Sequence, residues 1–490
     1  MLKIIPCPAS ISPEVGIFRL TPNTTIQVQP ENEEVCLIGQ MLSEQLRPAT
    51  GYPFLVMESD KANGNGCIAL MISGEDPALG EEGYELRVRS ERITLAASHP
   101  AGLFHGIQTL RQLLPASIEM KTAQPGPWQI EAVTIRDRPR FGWRGAMLDV
   151  ARHFFKPTEV KRFIDQLALY KFNIFHLHLT DDQGWRIAIK SWPKLTEIGA
   201  KFSVERHPGG FYTQDEYRDI VEYARQRYIT IVPEVDMPGH TNAALASYAE
   251  LNPSGRPAEI YTATGVGFST FAIHNETTYK FIHDVIDEIV ALTPGPYFHI
   301  GGDEAHSTPD ADYTYFVKRV QDMVWEQGKI PVGWEEVAKA ELLPNTIVQF
   351  WWNRVWARKG AEQGRKFIMS PAANAYMDMK YTPSTTLGQD WINQYVEVQD
   401  AYQWDPSTVL DGVPEANILG VEAPLWSETT ATTADLDYMI FPRLPGYAEV
   451  GWSRLKSRNW SEYKQRLAAH GPRLAALGIN FYRSPQIAWE

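Results

Sequence analysis

The chain has 490 residues, a formal net charge of −13 and an aromatic content of 11%. This length exceeds what one hydrophobic core usually organises, so we expect two or more domains. The acidic balance argues against a nucleic-acid partner, which requires a basic face, and no apolar run reaches the length of a membrane span.

Residues 1–138 mix predicted strands and helices, which indicates a small α+β domain. Residues 24–28 and 67–73 are typical of strands, and residues 33–46 of a helix. Residues 84–88 alternate apolar and polar side chains, and a polar turn leads into residues 93–95, so an antiparallel hairpin is predicted there. The proline-containing segment 123–140 is predicted to be the linker that follows.

The start of the chain and its cysteines bear on the cellular location of the protein and on whether it has disulfides or a cysteine metal site. The first ten residues lack the apolar core of a secretory signal, so a cytoplasmic protein is expected if Met1 is the natural start. Cys7, Cys36 and Cys67 are odd in number and form neither a metal-ligand pattern nor a disulfide framework.

From residue 139 to 455, short β-type runs alternate with amphipathic helical segments, which predicts a parallel sheet with helical crossovers. Eight such runs occur, at residues 143–150, 172–180, 229–235, 297–300, 330–334, 347–352, 366–370 and 418–425. Eight units favour an α/β fold of the (β/α)₈ TIM-barrel type, with its chemistry at the carboxyl ends of the strands. A doubly wound open sheet is the alternative, but the glycine-rich turn that it often carries after its first strand is missing. Residues 456–490 are predicted to form short C-terminal helices packed on the barrel.

The segment YFHIGGDEAH, residues 297–306, places Asp303 and Glu304 next to each other at the end of a predicted strand. Two glycines before them allow a sharp turn or a close backbone approach. Neighbouring carboxylates repel, so one acid is expected to retain its proton near neutral pH and act as a general acid while the other stays ionised. A strand-to-loop junction with solvated acids is the alternative for this segment alone.

Other predicted strands also end in charged and aromatic side chains. Arg144 lies in the first strand with Asp149, Arg152 and His153 after it, and the other strand ends carry His176, His178, Asp181, Asp182, Glu234, Asp236, His240, Trp334, Trp351, Trp352, Tyr376, Asp378, Trp426 and Glu428. Charged groups bind hydroxyls and indoles wall sugar rings, so this set predicts a carbohydrate pocket. His176, His178 and Asp181 alternatively resemble a metal site, although two histidines on one face of a strand are equally well explained as hydrogen-bonded core residues.

Seven motifs, in order along the barrel, resemble glycoside hydrolase family 20, the β-N-acetylhexosaminidases. They are RGAMLDVARHFF (144–155), HLHLTDDQGWR (176–186), PEVDMPGH (233–240), HIGGDE (299–304), GWEE (333–336), AYMDMKY (375–381) and GVEAPLWSE (420–428). The front domain also resembles the non-catalytic α+β domain of that family. The resemblance implies exo-hydrolysis of terminal non-reducing β-linked N-acetylglucosamine or N-acetylgalactosamine, without metal or cofactor.

The resemblance also implies a role for each site residue. Glu304 is implied to be the general acid and later base, while Asp303 holds the substrate's acetamido group, whose carbonyl oxygen is the nucleophile and forms an oxazolinium ion. The implied sugar-binding residues are Tyr376 on the acetamido oxygen, Trp334, Trp351 and Trp426 around its methyl group, Arg144 and Glu428 at O3 and O4, Asp378 at O6, Trp391 at the leaving group, and His240 with Asp181 and Asp236 behind the acid pair.

Three alternatives remain open at this point. One is a lacto-N-biosidase-like enzyme that releases a disaccharide, and another is a catalytically silent carbohydrate-binding protein. The third is a metal-dependent hydrolase built on His176, His178 and Asp181. The sequence leaves the preferred sugar configuration, the natural glycan and the oligomeric state undetermined.

Overall fold

The structure, a computed structural model, describes residues 3–59, 64–74 and 76–490 in two units. The first unit comprises Met1–Phe141, Ala168–Lys171 and Ala448–Glu490, and the second comprises Gly142–Leu167 and Phe172–Tyr447. None of the helices in the described ranges is long and apolar enough to cross a membrane.

The first unit contains a mixed seven-stranded sheet with the order β1-β7-β5-β6-β4-β2-β3. Its strands are β1 (Ser10–Arg19), β2 (Thr25–Val28), β3 (Val56–Glu58), β4 (Cys67–Ile72), β5 (Tyr84–Val88), β6 (Arg92–Ala97) and β7 (Gln129–Asp137). Helices α1 (Glu33–Thr50) and α2 (Pro100–Leu113) pack against it. Alternating burial along β5 and β6 explains why one face of the hairpin meets these helices.

The sequence prediction is right for the hairpin and wrong for the linker in this unit. Strands β5 and β6 pair antiparallel, as predicted. The predicted linker 123–140 instead contains β7, which pairs antiparallel with both β1 and β5. The prolines flank this strand, and residues 129–137 between them keep all the backbone donors that a central strand needs.

The second unit is a closed barrel of eight parallel strands, which confirms the predicted TIM barrel and rules out an open sheet. The strands in sequence order are β8 (Trp143–Asp149), β9 (Ile174–His178), β12 (Thr230–Glu234), β13 (Tyr297–His299), β14 (Ile330–Trp334), β15 (Ile347–Phe350), β16 (Lys366–Met369) and β17 (Ile418–Leu425), with a small hairpin of β10 (Thr180–Asp181) and β11 (Gly184–Trp185) after β9. Because nearly every residue of these strands is buried, both faces are covered, as parallel sheets require.

Helices alternate with the strands of the barrel. They are α3 (Pro157–Leu169), α4 (Lys194–Glu197), α5 (Gln214–Arg225), α6 (Asn242–Ser247), α7 (Glu276–Leu292), α8 (Asp310–Glu326), α9 (Arg354–Glu362), α10 (Ala372–Ala375), α11 (Val398–Tyr402), α12 (Thr433–Ile440) and α13 (Leu444–Trp452). Short 3-10 turns are Ala116–Glu119, Val204–Arg206, Ala249–Leu251, Glu335–Lys339, Pro406–Thr408, Glu415–Asn417 and Leu455–Ser457. The start of α5 has the predicted capping box, in which Thr213 Oγ1 accepts from the Glu216 amide and Glu216 Oε2 accepts from the Thr213 amide.

The barrel interior is apolar near the strand starts and polar near the strand ends. The apolar cluster is formed by Trp143, Ile174, Val232, Val332, Ile347 and Ile368. Since side chains alternate along a strand, His176 and His178 share the interior face with Ile174. Their ring nitrogens lie 2.5 to 2.9 Å from carboxylate oxygens of Glu234, Glu422 and Asp181. A hydrogen-bonded polar layer therefore lies directly beneath the strand ends.

The last helix, α14 (Trp460–Ala476), belongs to the first unit, whereas the sequence prediction packed residues 456–490 on the barrel. Arg473 of α14 pairs with Glu119 and also donates to the Leu114 carbonyl oxygen at 2.8 Å. Glu119 and Leu114 both belong to the first unit, which explains why α14 is grouped with that unit. The apolar spacing along α14 predicts a buried face but does not name the surface that covers it.

Candidate active site

A pocket of about 310 Å³ opens where the barrel strands end. Its wall consists of Arg152 after β8, Thr264 and Val266 between α6 and α7, Asp303 and Glu304 after β13, Trp351 after β15, Tyr376, Asp378, Gln389 and Trp391 after β16, and Trp426 and Glu428 after β17. The carboxyl ends of the strands are where barrel enzymes carry their chemistry. Nine of the residues that the sequence analysis named meet in this single pocket.

The acid pair reaches the pocket because two glycines turn the chain after β13. Gly301 and Gly302 have φ angles of 65° and 98°, which favour glycine. A Cβ on Gly301 would lie 1.8 Å from Asp236 Oδ1, so no larger residue fits there. The same Asp236 oxygen accepts a hydrogen bond from the Gly302 amide at 3.0 Å and fixes the turn. The close packing explains the sequence GGDE.

Glu304 and His240 are held in strained backbone conformations opposite each other. Their φ angles are 47° and 55°, in the left-handed region that non-glycine residues rarely adopt. Each such residue costs about 1–3 kcal/mol and persists only where the surrounding structure enforces it. His240 Nε2 lies 3.5 Å from Glu304 Oε2 and 3.7 Å from Asp303 Oδ2. The strain therefore serves to aim an imidazole at both acids.

Asp303 is the acid whose pKa is raised. Burial, together with the negative charges of Glu234 and Glu304, raises the pKa of Asp303 to about 6, against the opposing charge of His240. Burial and the charge of Asp303 raise the pKa of Asp236 well above its ordinary value, so Asp236 keeps a proton beside Asp303. Asp303 Oδ1 is buried and has no hydrogen-bond partner among the residues that the structure describes. Such an atom is costly unless a ligand supplies a donor.

Glu304 shows the opposite shift, which corrects the expectation that the general acid of the pair retains its own proton. Burial raises the pKa of Glu304, but the hydrogen bond and charge of His240 outweigh burial and lower that pKa. Burial lowers the pKa of His240. Its acidic neighbours, Asp181 foremost, together raise it by more, so the pKa lies well above its ordinary value. These opposite shifts favour a proton on His240 beside an ionised Glu304.

Asp181 anchors His240 from behind. Asp181 Oδ1 lies 3.1 Å from His240 Nδ1, and Asp181 Oδ2 lies 2.8 Å from Arg152 Nη2 and 2.9 Å from His178 Nε2. Burial raises the pKa of Asp181, but Arg152 and His240 lower it far below its ordinary value. A permanently ionised Asp181 keeps the imidazolium of His240 oriented toward Glu304.

Arg152, Glu428 and Asp378 form a charged edge of the pocket. Arg152 Nη1 lies 3.9 Å from Glu428 Oε1, and the guanidinium stands 5.0 Å from the centre of the Trp426 ring. Burial and the Glu428 charge raise the pKa of Asp378 well above its ordinary value. Within the described ranges, Glu428 Oε2 and both Asp378 carboxyl oxygens are buried without a hydrogen bond of ordinary geometry. These atoms suit the hydroxyl groups of a bound sugar.

Arg144, which the resemblance placed at the sugar, is not among the residues that line the pocket. It follows Trp143 at the start of β8, and since Trp143 belongs to the interior cluster, the Arg144 side chain lies on the opposite face. Arg152 follows the carboxyl end of the same strand and lines the pocket. Both arginines stood in the same motif, and the rule that barrel sites lie at strand ends would have selected Arg152.

Aromatic rings close the floor of the pocket. The ring centres of Trp334 and Trp426 are 5.8 Å apart, those of Tyr376 and Trp426 6.4 Å, and Tyr376 is stacked on Trp351 at 6.2 Å. Trp334 is fully buried behind Trp426, and its Nε1 donates to Glu234 Oε1 at 3.0 Å. Trp351, Tyr376 and Trp426 line the same pocket as Asp303, and their rings form an apolar recess in it.

A buried carboxylate fixes the turn that carries Trp351. Glu335 accepts hydrogen bonds from the backbone amides of Trp351 at 2.8 Å and Trp352 at 3.0 Å, and also from the amide of Asn353. Glu336 accepts from the indole Nε1 of Trp351 at 3.1 Å. Both glutamates belong to the motif GWEE, but only the structure connects them with the placement of Trp351.

The sequence analysis did not single out Thr264, Val266 and Gln389 as pocket residues. All three belong to long connections, in which no periodic pattern marks the residues that fold back over the strand ends. Among the described residues, four sets of three side chains bring ligand-type atoms within 4.8 Å of one another, and one of these sets is His176, Glu234 and His299. His176 and His178 are hydrogen-bonded to the carboxylates of Glu422 and Glu234.

Family models match nearly the whole chain. The model described as "Glycosyl hydrolase family 20, catalytic domain" matches residues 141–312 and 306–455. The model described as "Glycosyl hydrolase family 20, domain 2" matches residues 1–138.

Individual proteins agree with these matches. A β-N-acetylhexosaminidase from Cellulomonas fimi is 38% identical, over 100% of this chain and 97% of that protein. The solved family 20 β-N-acetylhexosaminidase of Streptomyces coelicolor A3(2) is 50% identical with a TM-score of 0.96, over 100% of this chain and 99% of that one. The N-acetyl-β-hexosaminidase of Streptomyces plicatus, of which a mutant was solved with the product GlcNAc, is 51% identical with a TM-score of 0.96, over 100% of this chain and 98% of that one.

Proposed function

The chain belongs to glycoside hydrolase family 20, whose members are exo-acting, retaining β-hexosaminidases, and we propose which of its residues perform each step of that reaction. The substrate carries a terminal, non-reducing β-linked N-acetylglucosamine or N-acetylgalactosamine. The matches favour this hydrolase over a disaccharide-releasing enzyme and over a silent binding protein. The observation that carries the assignment is the Asp303–Glu304 pair in the pocket, with a partnerless Asp303 oxygen beside the aromatic recess.

In the first step, Glu304 protonates the glycosidic oxygen while the substrate's acetamido carbonyl oxygen attacks C1. The bond from C1 to the leaving group breaks, and an oxazolinium ion forms on the sugar. His240 carries the proton and passes it to Glu304, because its Nε2 lies 3.5 Å from Glu304 Oε2. Asp181 keeps the ring oriented during the transfer.

Asp303 acts on the acetamido group instead of on C1. Its ionised carboxylate accepts the acetamido N–H and stabilises the positive charge that develops on that nitrogen. Tyr376 donates to the acetamido oxygen, and Trp334, Trp351 and Trp426 surround the methyl group. This geometry holds the nucleophile close to C1 and supplies part of the rate enhancement by orientation.

In the second step, Glu304 removes a proton from water, which attacks C1 from the side that the leaving group vacated. The oxazolinium ring opens and the sugar leaves with its β configuration retained. Arg152 and Glu428 bind the O3 and O4 edge, and Asp378 binds the O6 side. Among the described residues, Glu428 Oε2 and both Asp378 carboxyl oxygens are buried without a hydrogen-bond partner, which supports a clamp that holds one terminal sugar.

The role of Glu304 is tested with Glu304→Gln and a series of aryl β-N-acetylglucosaminides whose leaving phenols span several pKa units. The wild-type kcat/KM is expected to depend weakly on the pKa of the phenol, because Glu304 protonates the leaving oxygen. The variant is expected to lose at least about a hundredfold on poor leaving groups and much less on the best ones. A uniform loss across the series, or near-full activity, contradicts the assignment. Glu341→Gln, at an exposed acid, is the matched control.

A further inference from the structure

A second cavity, of about 450 Å³, lies beside the catalytic pocket among the loops that follow β15 and β16. Its walls are the turn at residues 350–354, residues 371–374 and residues 404–409. The proposed mechanism uses none of its polar side chains. We call it the side cavity.

An uninterrupted row of aromatic rings joins the side cavity to the catalytic pocket. Trp351 lines both, and Trp391 lines the catalytic pocket. Trp352 lines the side cavity, with its ring centre 5.4 Å from that of Trp391 and 6.5 Å from that of Trp351. A chain that leaves the catalytic pocket past Trp391 therefore meets Trp352 next.

Trp352 is exposed although its neighbours are packed. Its exposed fraction is 51%, against 8% for Trp404 on the other side of the cavity. The Glu335 carboxylate fixes the Trp352 backbone through its amide at 3.0 Å, so the indole is presented on a rigid turn. Exposed indoles on a rigid support are suited to stack on the apolar face of a sugar ring.

The polar groups around the side cavity are balanced in charge. Arg354 provides one positive group and Asp405 one negative group, and Asn374 and Thr408 also belong to the lining. Arg354 donates to the Val409 carbonyl oxygen and the Thr408 hydroxyl donates to the Asp405 carbonyl oxygen at 3.1 Å, so internal hydrogen bonds already use part of this polar capacity. The set has no net charge, which disfavours a phosphate or a strongly charged peptide. Together with the indoles, it matches an uncharged, hydroxyl-rich ligand.

We propose that Trp352 and the side cavity bind the sugar units on the reducing-end side of a β-linked N-acetylhexosamine oligosaccharide whose terminal sugar occupies the catalytic pocket. The proposal rests on the proposed function, because it requires a chain held at the pocket mouth. The natural substrate is then an oligosaccharide of three or more sugars, and a disaccharide makes only part of the available contacts.

The test compares kcat/KM for an aryl β-N-acetylglucosaminide with those for β-1,4-linked N-acetylglucosamine di-, tri- and tetrasaccharides. The wild type is expected to prefer the trisaccharide and tetrasaccharide over the disaccharide by about five- to tenfold, the gain typical of one added aromatic contact. In Trp352→Ala, the ratio of tetrasaccharide to aryl glycoside kcat/KM is expected to fall by a similar factor. Trp352→Tyr keeps a ring and is expected to restore most of it.

A second variant separates loss of the cavity from disturbance of the aromatic row. Ala373→Phe fills the side cavity and leaves Trp351, Trp352 and Trp391 in place. It is expected to remove the preference for longer substrates. Trp325→Ala is the matched control, because Trp325 on α8 is similarly exposed, at 47%, and lines neither cavity.

The outcomes are distinguishable from failure of the proposed function. Equal kcat/KM for the disaccharide and tetrasaccharide in the wild type, with normal hydrolysis of the aryl glycoside, overturns the side-cavity proposal alone. A length preference that both Trp352→Ala and Ala373→Phe retain overturns it as well. Absence of hydrolysis of the aryl glycoside and of every oligosaccharide overturns the proposed function itself.

Discussion

Asp303 illustrates how single residues at this site are adjusted by their surroundings. Burial and neighbouring carboxylates raise its pKa to about 6, and the neutral Asp236 beside it leaves Asp303 as the member that ionises. An ionised Asp303 can accept the acetamido N–H, whereas a protonated one cannot. The active form of the enzyme is therefore the one above this pKa.

The pH dependence of kcat/KM follows from that shift. As the pH falls through about 6, Asp303 gains a proton and kcat/KM is expected to fall with it. In Asp303→Asn, the rate is expected to drop by about a hundred- to a thousandfold, and the acid limb near pH 6 is expected to disappear from what remains. Profiles of kcat/KM from pH 4 to 8 on an aryl glycoside, recorded for the wild type and for Asp303→Asn, measure the acid limb and its loss. An unchanged acid limb in the variant would assign it to another group.

The two arginines of the first motif give a matched comparison at the same scale. Arg152 donates in a fixed geometry beside Asp181, Glu428 and Trp426, so Arg152→Lys is expected to lower kcat/KM by about tenfold or more. Arg144→Lys changes a buried residue outside the pocket and is expected to leave KM within about twofold. Steady-state kinetics of both variants decide between the sites. The reverse pattern would restore Arg144 as the sugar ligand.

At the scale of elements, the turn after β15 connects fold and site. Its backbone amides converge on the Glu335 carboxylate, and the turn presents Trp351 to the catalytic pocket and Trp352 to the side cavity. A single buried acid therefore positions aromatic surfaces in two cavities.

Removal of that acid is expected to affect binding and stability together. Glu335→Ala leaves buried amides without acceptors, at a cost of about 1–3 kcal/mol in the free energy of unfolding. KM is expected to rise several-fold because Trp351 loses its fixed position, and the intrinsic tryptophan fluorescence is expected to shift to the red. Glu341→Ala, at a side chain that is 82% exposed, is the control. If Glu335→Ala kept the wild-type KM and the wild-type tryptophan emission maximum, the turn would not depend on the Glu335 side chain for its conformation.

The elements also show what the sequence can predict. All eight barrel strands were recognisable because both faces are buried, which produces short apolar runs between helical segments. Strand β7 was missed because flanking prolines indicated a linker. The acid pair and most of the pocket followed from motifs at strand ends, but Thr264, Val266 and Gln389 depend on how loops fold back, which local patterns do not encode.

At the scale of the whole molecule, the barrel supports the pocket from below. Glu234 is hydrogen-bonded to His178 Nδ1 at 2.5 Å and to Trp334 Nε1 at 3.0 Å. The other ring nitrogen of His178, Nε2, lies 2.9 Å from Asp181 Oδ2. Asp181 in turn orients His240 toward Glu304. The barrel interior therefore fixes the protonated imidazole on which the acid depends, while Asp303 remains available for the substrate.

The central claim is that the substrate's own acetamide, held by Asp303, is the nucleophile. Its most direct test is kcat/KM of the wild type on aryl β-glucosaminides whose N-acyl group is acetyl, fluoroacetyl, difluoroacetyl or trifluoroacetyl. Each fluorine weakens the carbonyl oxygen as a nucleophile, so kcat/KM is expected to fall stepwise. A total loss of about a hundredfold corresponds to about 3 kcal/mol in the barrier. A flat series would mean that a protein carboxylate or water attacks C1, and would contradict the account.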